Sequence, residues 1–132
     1  MNFQTPVSTS KKVDEANQLA RQLGDLLLNA PEYQIFLKTL NDVNNDPTVK
    51  KILAEMRNHQ NDLRWSPENA DEHEVAISRL ETELENLAVV QDYRIAEKTI
   101  CKMFAEIDEI ISRSAGIPFA ANARRSGCSC GG

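Results

Sequence analysis

The chain has 132 residues, enough for one domain with a single core rather than two. Hydrophobic residues make up 41% and charged ones 27%, which excludes both a disordered chain and a membrane-embedded one. The net charge is −5, and the basic pairs Lys50-Lys51 and Arg124-Arg125 are isolated, so direct phosphate-driven binding to nucleic acid has no clustered basic surface to work with.

No apolar run approaches the roughly 20 residues that span a bilayer, so no membrane association is expected. MNFQTPVSTSKK lacks the basic start and apolar middle of a secretory signal, and the expected compartment is the cytoplasm. Three cysteines in a reducing compartment read as free thiols or metal ligands, not as a disulfide framework.

Residues 1–12 carry Pro, Ser and Thr without period and read as a flexible leader. From Val13, the steps Val13, Ala16, Ala20, Leu23 and Leu27 mark a first helix. Leu19, Leu26 and Leu28 widen its stripe, and an arc that wide suggests more than one neighbour, within the chain or from another subunit. Gly24 sits inside this pattern at a cost of about 1 kcal/mol relative to Ala. A closely approaching backbone would explain it, and so would a tolerated neutral glycine.

Asn29-Ala30-Pro31-Glu32 breaks the pattern, and Pro31 suits the first turn of a second helix, where its missing N–H has no partner to lose. Tyr33, Phe36, Leu37, Leu40 and Val43 repeat at helical steps. Asp46-Pro47 predicts a cap and start for a third helix, whose stripe is Val49, Ile52, Leu53, Met56 and Leu63. Gln60 falls on that stripe, where a buried amide would need a hydrogen-bond partner.

Ser66-Pro67 predicts a third start of the same kind, followed by Ile77, Leu80, Leu84 and Leu87 on one face. His73 lies one turn ahead of Ile77 and reads as a partly buried structural residue. Neither it nor His59 has a second ligand on its own face at metal spacing. Whether Leu87 to Val90 continues this helix or bends before the next is open from sequence.

The longest amphipathic stretch is Gln91 to Ser114, with Tyr93, Ala96, Ile100, Met103, Phe104, Ile107, Ile110 and Ile111 on one stripe. Its other face, including Arg94, Asp108 and Glu109, reads as solvated. Gly116 suits a left-handed C-terminal cap. Ile117-Pro118-Phe119 reads as an apolar plug, and 120–132 as a flexible Cys/Gly tail.

No alternating strand pattern occurs. The expected fold is all-α: about five helices in an antiparallel helical bundle with a long C-terminal helix, spanning 13–119 and completed by oligomerisation.

Templates for catalysis are missing: there is no Gly-rich loop after a strand, no HExxH, and no CxxC pair. A non-enzyme is expected, with no catalytic residue to name. The tail is the one chemically pointed segment. Cys128-Ser129-Cys130 sets two thiols among glycines, and soft thiolates favour zinc or iron–sulfur clusters. Such sites use about four ligands, so a second chain would have to complete one; unused thiols on a loose end remain the alternative. Cys101, at the edge of the last stripe, reads as a small core residue. The terminal Gly131-Gly132 also occurs in ubiquitin-like sulfur carriers, whose strand-rich fold this chain cannot make.

Leu23-Gly24-Asp25-Leu26-Leu27, followed by Pro31-Glu32-Tyr33-Gln34-Ile35-Phe36, resembles the opening of the YlbF/YmcA family. Gln60 with Leu63, and Asp92-Tyr93-Arg94-Ile95-Ala96-Glu97, extend the likeness over roughly Val13 to Phe119. Ala30 departs from the small polar cap expected there.

The resemblance implies small helical proteins that pair with themselves or with related proteins and regulate competence, sporulation and biofilm formation in Gram-positive bacteria. It implies for some members a three-protein complex that carries iron–sulfur clusters and steers an endoribonuclease in mRNA processing. Cluster-binding members have cysteine-bearing C-terminal ends, matched here by Cys128 and Cys130; other members lack them. The resulting expectation is a non-catalytic regulatory subunit that shares an iron–sulfur cluster between chains and meets the endoribonuclease indirectly. A cofactor-free homodimeric scaffold and a thiol-redox or sulfur-transfer protein using Cys128 and Cys130 are the competing expectations.

Overall fold

Prolines and one glycine mark where the helices begin and end. A computed structural model describes residues 7–125. It holds six helices and, among the described residues, no strand: α1 Val7–Leu28, α2 Pro31–Asn45, α3 Pro47–Trp65, α4 Ala70–Glu85, α5 Ala88–Ala115 and α6 Phe119–Arg125. The all-α class and the long late helix expected from periodicity are both present.

Local chemistry accounts for most boundaries. Asp46 accepts a hydrogen bond from the Val49 N–H at 2.9 Å, and Pro47 occupies the first turn of α3. Ala30 precedes α2 in extended conformation with no side-chain cap, so Pro31 marks that start without help from a capping hydroxyl or carboxylate. At Ser66-Pro67 the expectation needs correction. Pro67–Asn69 forms a 3-10 turn, and α4 begins only at Ala70, after Asn69. Glu85 ends α4, and Leu87 is extended (φ −70°, ψ 134°), so the chain bends there before α5. Gly116 closes α5 at φ 81°, its N–H bonding to the Ser112 carbonyl at 2.8 Å.

Both ends differ from the expected leader and tail. α1 starts at Val7, inside the stretch read as leader, and residues 120–125, read as the start of a loose tail, are helical within Phe119–Arg125. The second difference has a visible cause. Ser112 Oγ accepts from the Phe119 N–H at 2.8 Å, and Asp108 Oδ1 accepts from the Ala120 N–H at 2.9 Å. Side chains of α5 thus satisfy two amide groups that the start of α6 leaves open. Asp108, read as a solvated residue, is the anchor of a neighbouring helix.

The core is built chiefly from two helix pairings, α2 against α5 and α3 against α4. Val49, Ile52, Leu80, Val90, Ala96 and Ile100 are buried. Thr39, also buried, donates its hydroxyl to the Phe36 carbonyl at 2.9 Å and leaves no polar atom unsatisfied. A row of rings links α2 to α5: Tyr33 and Phe36 centroids lie 6.2 Å apart, Phe36 and Tyr93 5.7 Å. Several stripe assignments fail: Leu37, Leu53, Gln60 and Cys101 are all exposed.

Candidate functional site

The amphipathic surfaces are only partly covered, and what remains bare is apolar. α1 carries the clearest case: Val13, Leu19, Leu26 and Leu28 are exposed, Leu26 to 72% and Leu19 to 64%. Isolated exposed leucines are ordinary; a helix whose apolar arc is half-covered only at Leu23 and Leu27 is not. α1 has helical propensity along its length, but a free amphipathic helix gains little without a surface to pack on.

The long helix shows the same division. Its stripe is buried at Ala96 and Ile100, half-buried at Met103, Ile107 and Ile111, and exposed at Phe104 and Ile110. The cover thins toward its C-terminal end. There, Leu23 and Leu27 of α1, Phe104, Ile107 and Ile111 of α5, and Phe119 of α6 line one almost wholly apolar groove. The segment read as an apolar plug closes this groove only in part: Phe119 lines it yet, like Ile117, remains exposed.

A second groove runs between α2 and α5. Ile35 and Ile95, both off the main stripes, line it together with Thr39, Ala96 and Thr99. Glu32, Lys38 and Asp92 border it, giving an apolar strip with a charged rim. Such a rim-and-strip arrangement is the usual anatomy of a protein–protein contact.

Ionisable groups cluster in two places. Arg94 bonds to Glu85 and Glu97, which holds the Glu85 carboxyl below its ordinary value, the hydrogen bond from Arg94 being the main cause. Tyr93 donates to Glu97 at 3.0 Å, and burial first, then that carboxylate, push its hydroxyl up. The second cluster is His59, Asp62 and His73, where α3 meets α4. The two imidazole Nδ1 atoms lie 2.8 Å apart, with ring centroids 5.1 Å apart.

Sequence reasoning missed this cluster twice: it overlooked Asp62, three residues after His59 on the same face of α3, and it searched each helix face separately, so it never paired His59 with His73. The signal was across the break: His59 and His73 are each seven residues from Ser66, so an antiparallel hairpin turning there brings them level. Cys128 and Cys130, the candidate metal ligands, lie outside the described residues. Cys101 is exposed on α5.

No described helix is long and apolar enough to cross a membrane. No curated protein matches the chain. A family model described as control of competence regulator ComK, YlbF/YmcA, matches residues 16–114, which takes in the chain from the middle of α1 to the last turn of α5. The match takes in most of the described helices, and the chain belongs to the YlbF/YmcA family.

Proposed function

We propose that this chain is a non-catalytic regulatory subunit that works by assembling with related small helical proteins. The carrying observation is the exposed apolar arc of α1, continued by the groove it forms with α5 and α6. Burying apolar surface contributes roughly 25 cal/mol per Å², so a helix of matching character laid into this groove is a favourable partner. Family membership supports regulation of competence as the setting.

In this reading the tail thiols Cys128 and Cys130 contribute to an iron–sulfur cluster completed by a neighbouring chain. The assembly acts in the cytoplasm, where it modulates an endoribonuclease and thereby mRNA processing and development. Contact with RNA is indirect, in keeping with the net charge of −5.

Anaerobic co-purification of the full chain with its related proteins, followed by light scattering and iron and sulfide analysis, tests the proposal. The expected product is a stable complex, brown and iron-containing, whose colour is lost in Cys128→Ser and Cys130→Ser. A complex without iron would keep the assembly and remove the cluster. A well-behaved monomer that captures no related protein would overturn the reading altogether.

A further inference from the structure

We propose that His59, Asp62 and His73 form a binding site for a first-row divalent transition metal, with zinc as its simplest occupant, clasping α3 to α4. The site is distinct from the tail thiols and does not depend on the assembly reading.

The geometry carries the inference. One nitrogen or oxygen from each of the three side chains lies within 4.8 Å of the others. His59 and Asp62 are one helical turn apart on α3 and therefore share a face; His73 arrives from α4 across the hairpin. At 2.8 Å the two Nδ1 atoms share a hydrogen bond, which requires one to carry the proton and the other to offer a lone pair. A metal ion takes the place of that shared proton and accepts a lone pair from both Nδ1 atoms, the protonated ring shifting to its Nε2–H tautomer.

The adjustment needed is small. Zinc binds imidazole nitrogen at about 2.0–2.1 Å, so tetrahedral ligands stand roughly 3.3 Å apart. The rings must separate by about half an ångström, and the exposed Asp62 must swing inward by side-chain rotation. Both histidines are half-buried on helices that pack along each other, so their positions are set before any ion arrives. Two imidazoles and one carboxylate suit zinc and its first-row neighbours rather than calcium or magnesium, which prefer oxygen ligands. Three protein ligands leave the fourth position to water.

The test uses the full chain with Cys101, Cys128 and Cys130 all changed to Ser, so that thiols cannot bind the probe. Titration with zinc chloride is expected to show one saturable site per chain, and zinc is expected to raise the unfolding temperature. His59→Gln/His73→Gln is expected to weaken binding by more than the 10–100-fold that loss of an outer-sphere partner costs. Cobalt(II) is expected to bind with visible absorption from nitrogen and oxygen ligands. In parallel, the imidazole NMR signals of both histidines in the thiol-free chain should shift together on adding zinc, a readout that needs no substitution at the site. Absence of saturable zinc binding by the thiol-free chain overturns the proposal. So does binding that leaves those two imidazole signals unmoved.

Discussion

Arg94 reaches back across the α4–α5 bend to hold Glu85 with two parallel hydrogen bonds, Nη2 to Oε1 at 2.8 Å and Nε to Oε2 at 3.2 Å. Its remaining Nη1 reaches Glu97 at 3.2 Å, and its guanidinium lies 5.7 Å from the centre of the Tyr93 ring. A residue on the solvated face of α5 thereby pins the end of the preceding helix. This matters because Leu87, at the bend, has no side-chain cap of its own to offer.

Arg94→Ala is expected to cost only about 0.5–1 kcal/mol, since the Arg94 and Glu85 side chains are 50% and 48% exposed and water screens the pair. Arg94→Lys should recover little of it, because lysine lacks the planar fork that meets both carboxylate oxygens. The pH dependence has a definite sign. Glu85 is held below its ordinary value of 4.5, so its contribution is complete above that value and is lost as pH falls through the lowered one. Chemical denaturation of wild type and Arg94→Ala should therefore differ by a constant amount at neutral pH. The two curves should converge in acid.

Leu80 is the most deeply buried large side chain, at 2% exposure. Leu80→Ala is expected to destabilise the fold by about 2–5 kcal/mol, through lost transfer energy and the cavity left behind. Urea unfolding monitored by circular dichroism measures it. A loss below 1 kcal/mol would mean that the α3–α4 pair is not held from this position.

Leu19 and Leu26 lie on the bare arc of α1. Leu19→Gln/Leu26→Gln keeps good helix formers in place while removing apolar area. If both side chains are buried in the assembly, their loss costs on the order of 3–6 kcal/mol, more than a hundredfold in affinity. Light scattering should show the assembly dissociating while helical content holds. An unchanged mass would move the interface elsewhere.

The two described glycines should respond with opposite signs. Gly24 lies mid-helix with open space where a Cβ would stand, so Gly24→Ala is expected to stabilise the isolated chain by about 1 kcal/mol. Gly116 also has open space but sits at φ 81°, so Gly116→Ala is expected to destabilise by about 1–2 kcal/mol through backbone strain alone. Thermal melts of the two variants settle both signs. Assembly adds a further discrimination: a partner backbone seated against Gly24 would make Gly24→Ala weaken the complex while strengthening the single chain.

Much of the fold was legible because its determinants are local. Pro31, Pro47 and Gly116 act through their own backbone, and the 3.6-residue recurrence of Val49, Ile52 and Met56 or of Ala96, Ile100 and Met103 names a helix before any neighbour is known. Where a boundary depended on a distant group, local reading failed. Asp108 satisfies the Ala120 N–H twelve residues away; AANARR is rich in the good helix formers Ala and Arg, but so short a run shows no apolar period to mark it as a helix without that anchor.

The same division holds for function. Sequence alone determined that this chain would be helical, amphipathic on nearly every helix and without a recognisable catalytic motif, because periodicity and residue type are properties of a single stretch. Only the tertiary structure decided which apolar stripes receive cover and which, like the arc of α1, stay bare. It alone brought His59 and His73 together across the hairpin. Burial and ligand convergence are relations between separate stretches, and they exist only once the helices have chosen their neighbours.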